Sequence, residues 1–141
     1  MIATGIREVD LGRAWADLWP LLEPAYRLSP EKHSLLAEIR AKALQLWAVF
    51  DKNTAVAGIV TRLMRHTTSG ELHCHVWLVG GSRLSEWIGD FLSKLKVWAR
   101  SEGCVAIVAA GIRPGWERVA PRLGFAKAYV VGPDQYWEVR L

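Results

Sequence analysis

The sequence predicts one α/β domain over residues 1–141, a mixed, twisted sheet of about seven strands with about four helices. Three observations carry this expectation. The apolar pattern switches repeatedly between alternation and a spacing of three and four, so strands and helices interleave along the chain. A strand-like stretch at 71–79, an amphipathic helix from Leu84 to Ala99 and an apolar strand at 104–110 follow one another. That is the layout of a right-handed parallel crossover. At 141 residues the chain has the length of one domain, and no linker-like segment or internal repeat divides it.

Residues 2–9 form a first short strand. Asp10 is placed to cap a helix whose residues Leu11, Trp15, Leu18, Trp19 and Leu22 fall at helical spacing. Pro20 and Pro24 are expected to break or kink it, because proline removes a backbone donor and crowds the preceding turn. Ser29-Pro30 restarts a helix, serine as cap and proline in the first position, with Leu35, Leu36, Ile39 and Ala43 turned inward. Residues 44–50 and 55–64 make a hairpin around Asp51-Lys52-Asn53-Thr54. Thr67-Thr68-Ser69-Gly70 turns the chain into the strand from Glu71 to Val79, which Gly80-Gly81-Ser82 closes. The next helix is the clearest in the sequence. Its residues Leu84, Trp87, Ile88, Phe91, Leu92, Leu95, Trp98 and Ala99 share one stripe, and Gly103 stops it. Cys104 to Ala110 suits a strand buried on both faces. A short helix after Pro114 runs through Trp116, Val119 and Leu123 to Gly124. Residues 125–131 and 135–141 close the sheet as a pair around Gly132-Pro133-Asp134.

Composition narrows the function. Hydrophobic residues make up 51% and charged residues 23%, with a mean hydropathy of +0.10. Such a chain buries a core and is not disordered as its main state. No run approaches the ~18 apolar residues of a membrane helix, so no membrane partner is expected. Met1 to Arg7 lacks the basic-then-apolar layout of a signal peptide. Cys74 and Cys104 make neither a disulfide framework nor a four-ligand zinc site, so the expected location is a reducing cytoplasm. The 18 Lys and Arg against 14 Asp and Glu give a net charge of +4, but the charge is scattered and nucleic acid is not an expected partner. Tryptophan is the unusual residue. There are 8, at 15, 19, 47, 77, 87, 98, 116 and 137, enough for some to serve a contact surface.

Several side chains are candidates for chemistry. Glu71, His73 and His75 alternate along one strand and so share a face, from which they offer a metal ligand set or a general base. The plainer alternative is a half-exposed polar face opposite Leu72, Cys74, Val76 and Leu78. No fourth ligand is evident, and no metal is expected. Ser82-Arg83, at a helix start, can hold an anion or simply cap the helix beside a solvated arginine. Arg113, Arg118 and Arg122 form a basic patch or solvated charge balanced by Glu117. Trp15 and Trp19 are assigned to the core. Trp116, two residues after a helix-initiating proline, is assigned to the surface.

The element order, with Phe91-Leu92, Trp98-Ala99-Arg100-Ser101-Glu102-Gly103 and Arg122-Leu123-Gly124-Phe125, resembles the GNAT acetyltransferase superfamily over nearly the whole chain. The resemblance implies a single GNAT-like domain that grips acetyl-CoA where the fourth strand meets the third helix. There, a pattern R/Q-x-x-G-x-G/A exposes backbone N–H groups to the pyrophosphate. Matching the family's paired leucines to Phe91-Leu92 puts Arg83 first, with Glu86 and Ile88 where small residues belong. Gly80, Gly81, Ser82 and Arg83 are then the candidate cofactor-binding residues. The family's asparagine and its thiolate-protonating tyrosine fall on Arg113 and Ala120, and alanine cannot donate a proton. Gly111 to Val119, with Leu123-Gly124-Phe125, further resembles small GNAT-like proteins of tailed bacteriophages, some of them virion-associated.

The expectation is therefore a catalytically degenerate acetyltransferase fold used for protein contact, as in a structural protein of a phage virion. It would lie in the bacterial host cytoplasm or the particle, need no cofactor, and have a protein partner or a second copy of itself. Trp116 and Arg113 are its interface candidates. The alternative is an acetyl-CoA-dependent N-acetyltransferase with a relocated acid or base among Glu71, His73, His75 and Tyr136.

Overall fold

The computed structural model describes residues 1–111 and 115–141. Its strands are β1 (Ile2–Gly5), β2 (Gln45–Asp51), β3 (Thr54–Arg65), β4 (Leu72–Gly81), β5 (Ala106–Ala110), β6 (Ala126–Val131) and β7 (Asp134–Arg140). They form one seven-stranded sheet in the order β1-β2-β3-β4-β5-β7-β6. Every pairing is antiparallel except β4 with β5, the crossover the sequence predicts. The helices are α1 (Leu11–Leu28), α2 (Leu35–Arg40), α3 (Leu84–Ser101) and α4 (Trp116–Val119). Short 3-10 turns add Glu8–Asp10 and Ala120–Leu123.

Each face of the sheet buries its own core, because alternate residues of a strand point to opposite sides. On one face α3 and α4 cover Trp47, Val49, Ile59, Cys74, Val76, Ile107 and Trp137. On the other, α1 and α2 cover Leu46, Ala48, Val60 and Leu78 through Leu11, Leu18, Leu22, Leu35 and Ile39. Beyond Leu78, toward β5 and β7, this second face carries His73, His75, Glu138 and Arg140. Cys74 and Cys104 are both free and buried. Among the described residues no helix is long and apolar enough to cross a membrane.

Several local expectations are corrected. The first strand ends at Gly5 instead of residue 9, where the 3-10 turn takes over. α1 runs unbroken through Pro20 and Pro24. The two prolines are one turn apart and both exposed, so the carbonyls that lose a partner lie on the water side of the helix. Ser29-Pro30 starts no helix, because Ser29 instead caps the C-terminus of α1 in extended conformation. The segment after it is pinned by Lys32, whose Nζ donates to the carbonyls of Tyr26 (2.6 Å) and Arg27 (3.2 Å), the end of α1. α2 begins only at Leu35, and Ala43 is exposed.

The glycines at the end of β4 do not terminate it. Both continue the strand, opposite Gly58 and Ala57 of β3. α3 is then capped by Arg83, in left-handed conformation at φ 61°, and not by Ser82. The tryptophans are also absorbed by the fold. Trp47, Trp87, Trp116 and Trp137 are buried, and the other four are half-buried. Trp15 and Trp19 stack on each other with centroids 5.4 Å apart.

Candidate functional site

β4 and β5 pair only from His73↔Ala106 to Val76↔Ala109. Beyond that point β4 runs on to Gly81 with β3 alone, and β5 turns away. A bulge drives the separation. Val76 opposes Thr61 while Leu78 opposes Val60, so Trp77 is an extra residue that bends β4. The resulting notch holds a pocket of about 230 Å³, bordered by Ser29, Glu31, His75, Trp77, Asp134 and Tyr136. The pocket thus joins the α1–α2 segment, β4 and the β6–β7 turn.

Its polar wall is one connected unit. Arg62 of β3 donates from Nε to His75 Nδ1 (2.9 Å) and from both terminal nitrogens to Glu31 (2.6 and 2.9 Å). The same guanidinium lies 4.9 Å from the Trp77 ring centroid. His75 is only 4% exposed, and its ring centroid is 5.8 Å from that of Tyr136. Burial, then the Arg62 charge, lowers the His75 pKa to about 4. With Nδ1 accepting from Arg62, the proton of the neutral ring belongs on Nε2. His75 therefore presents a donor at neutral pH and is poorly suited to be a general base. Hydrogen bonds from Arg62 hold Glu31 down to about 2, and burial raises Tyr136, which keeps its hydroxyl.

The other two residues of the predicted triad lie elsewhere. His73 Nε2 is 3.4 Å from Glu71 Oε1 and 4.0 Å from Glu138 Oε1. Glu71 also takes two 3.1 Å bonds from Arg140, which lower its pKa. So Glu71 and His73 share a face with His75, as the alternation implies, but His73 is buried beside the ion pairs of Arg140 with Glu71 and Glu138, apart from the pocket. Among the described residues no group of three or more His, Cys, Asp or Glu is placed to hold a metal. Cys74, on the opposite face, is pushed up to about 12 by burial and stays a thiol.

This wiring predicts a pH dependence. The folded chain keeps His75 neutral where the unfolded chain, near 6.5, binds a proton. Unfolding then takes up a proton, and stability falls as pH is lowered from about 6.5 toward 4. Glu31 adds a loss in the same direction, from 4.5 toward 2, as its pairing with Arg62 is protonated away. The His75 contribution is roughly 3 kcal/mol. Denaturant unfolding over a pH series should show this slope flattened between 6.5 and 4 in His75→Gln. Equal slopes in the two proteins would remove His75 as the cause.

At the other end of the notch lies the start of α3. An added Cβ at Gly80 would stand 1.9 Å from the Leu21 carbonyl oxygen, and one at Gly81 2.2 Å from that of Val56. The space these glycines clear is thus occupied by the backbones of α1 and β3. Arg83 donates to both carboxylate oxygens of Glu86 (2.8 and 3.0 Å) and to Asp51 (2.7 Å), and holds both carboxyls below their usual range. The Ser82 N–H is taken by Val56 and its carbonyl by the Trp87 indole (2.9 Å). Between α3 and α4, the side chains of Val79, Leu84, Trp87, Trp116 and Phe125 leave a void of about 10 Å³.

Trp116, expected at the surface, is 4% exposed and packs edge-on to Phe125 at 5.4 Å. On α4 Trp116 turns inward while Glu117 and Arg118 are exposed, which sequence position alone does not reveal. Its buried Nε1 has no acceptor among the described residues. Ala120 is fully buried beside it. Arg113, the other interface candidate, lies outside the described residues. Sequence reasoning missed Glu31, Arg62, Trp77 and Asp134. The one available signal was Arg62, a charge amid an apolar run in the hairpin preceding the histidine strand.

No protein-family model and no curated protein matches the chain. Solved structures do. The aminoglycoside 6'-N-acetyltransferase from Enterococcus faecium superposes with a TM-score of 0.72 at 14% identity, covering 99% of this chain and 97% of that one. An aminoglycoside 6'-N-acetyltransferase complexed with coenzyme A gives 0.72 at 15%, over 99% and 97%. The ribosomal-protein-alanine N-acetyltransferase from Brucella melitensis gives 0.66 at 14%, over 100% of both chains. The fold is that of the GNAT acetyltransferases.

Proposed function

We propose that this chain is a catalytically degenerate acetyltransferase-fold protein that works by contact with another protein. The observation that carries the proposal is the filled space between α3 and α4. In the family it resembles, the cofactor is gripped at the start of the third helix and its thiol ends near the position of Ala120. Between those points Leu84, Trp87, Trp116 and Phe125 close in on one another and leave about 10 Å³. That is room for one water at most. The two ends fit coenzyme A no better. Glu86 puts a carboxylate in the first turn of α3, where the helix end would favour a phosphate, and it already engages Arg83. Ala120 has no proton to give.

The open pocket is what the fold retains. It offers the His75 Nε2–H, the Tyr136 hydroxyl and the rings of Trp77 and Tyr136 to a protruding side chain or chain end of a partner. The likeness of Gly111 to Val119 and of Leu123-Gly124-Phe125 to tailed-phage proteins directs the search for that partner to virion proteins. Titration calorimetry with acetyl-CoA tests the proposal, and no binding heat is expected at micromolar concentrations. Low-micromolar binding that Arg83→Ala weakens would overturn it.

A second reading is an acetyl-CoA-dependent N-acetyltransferase with relocated groups. It is favoured by Tyr136 and His75 bordering the notch where β4 leaves β5. Acetyl transfer that is lost in Tyr136→Phe would support it. Turnover unchanged in a His73→Ala, His75→Ala double variant would remove the histidines from it.

A further inference from the structure

At the end of the sheet away from the notch, β1 parts from β2. Its last residue, Gly5, faces Trp47, and the Ile6 N–H still reaches the Leu46 carbonyl (2.9 Å). The chain then turns off into the 3-10 turn at Glu8–Asp10, so Gln45, the first residue of β2, has no β1 partner. A cavity of about 480 Å³ opens there, within the range of small-molecule sites. It shares no residue with the pocket beside His75 or with the void between α3 and α4. Its walls are apolar, with Ile39 and Leu44 from one core and Trp47, Leu63 and Trp98 from the other. The two indoles meet edge to face at 5.7 Å. One polar group is set into this wall. The Trp47 indole donates to the Thr61 hydroxyl (3.1 Å), whose own proton therefore goes to Gln45 Oε1 (2.9 Å). That chain fixes the Gln45 amide with its NH2 turned away from Thr61, and among the described residues the NH2 has no acceptor. Four exposed charges border the cavity: Arg40 at the end of α2, Lys42 just after it, Glu8 in the 3-10 turn and Glu102 after α3. Two are positive and two negative, yet among the described residues none of them forms an ion pair.

We infer that this cavity binds a free α-amino acid with a large apolar or aromatic side chain. The charges decide between ligand classes. A simple anion would lie against Glu8 and Glu102, and a simple cation against Arg40 and Lys42. A zwitterion meets both signs at once, and an apolar side chain suits the walls. The carboxylate belongs to the side rich in donors, where the Gln45 NH2, Arg40 and Lys42 all come from one short stretch of chain. The ammonium is left to Glu8 and Glu102. The side chain fills the space lined by Trp47, Leu63 and Trp98, where burial of its apolar surface supplies the driving force. The fixed amide orients the ligand without cost, since Thr61 already holds it in place. The inference does not rest on the proposed function, because the cavity lies apart from the residues that argue for or against coenzyme A.

A 15N-resolved NMR titration of the full chain with L-leucine and L-phenylalanine tests it. At least one should shift the indole N–H signals of Trp47 and Trp98 saturably while those of Trp87 and Trp116, outside the cavity, stay fixed. Two analogues of phenylalanine separate the poles: 3-phenylpropionate lacks the ammonium and phenethylamine lacks the carboxylate. Each should bind about tenfold or more weakly than the amino acid, the loss of one charge-assisted contact. Replacing Arg40 and Lys42 together by glutamine should weaken the amino acid and phenylpropionate but not phenethylamine. Replacing Glu8 and Glu102 together by glutamine should do the reverse. All four side chains are exposed and outside any ion pair among the described residues, so both double variants should keep the wild-type melting temperature. No saturable shift with either amino acid, up to its solubility, overturns the inference. So do analogues that bind as tightly as the amino acid, or affinities that neither double variant changes.

Discussion

Gly80→Ala is expected to destabilise the domain by on the order of 3 kcal/mol or more, the upper range for forcing atoms into a filled interior. The added methyl would stand 1.9 Å from the Leu21 oxygen, 2.7 Å from its carbon and 3.0 Å from the Leu22 Cα. All three are backbone atoms of α1, so no side-chain rotation relieves the contact. The helix must move off the sheet, and Leu18 and Leu22, both fully buried, move with it. Gly89→Ala is the control. Gly89 is an exposed position inside α3 with nothing within 4 Å of an added Cβ, so alanine there should stabilise by about 0.5–1 kcal/mol. Denaturant unfolding of both variants checks the pair. Equal, small effects would mean that α1 does not lie so close to β4.

Trp116→Ala should cost roughly 3–5 kcal/mol, the range for deleting a large buried aromatic. The indole packs against Phe125 and closes the space between α3 and α4. A melting temperature close to that of the wild type would return Trp116 to the surface and reopen the path that the proposed function requires to be shut.

The sheet was legible because its signals are local or periodic. The hairpin turn at 51–54, the stripe on α3 and the apolar run of β5 each determine an element, and the crossover between β4 and β5 follows from their order. The errors share a cause, since each depends on what a residue faces. Pro20 and Pro24 are tolerated because water replaces their missing partners on the exposed side of α1. Gly80 and Gly81 look like a turn but mark the close approach of α1 and β3. Ser29-Pro30 has the composition of a helix start, yet the Lys32 and Tyr26 contacts hold the chain extended there. The pocket was harder still. His75 and Tyr136 were identifiable as residue types on strands, but Glu31 and Arg62 join them only when three separate elements meet.

The proposed function has coenzyme A excluded from the space between α3 and α4, and the indole N–H signals of Trp87 and Trp116 report on that space directly. In a 15N-resolved NMR titration with acetyl-CoA, both signals should stay fixed up to a large excess of ligand, because their side chains fill the space the cofactor would need. Saturable shifts of these two signals, at ligand concentrations in the micromolar range, would contradict the account and show the channel to be open.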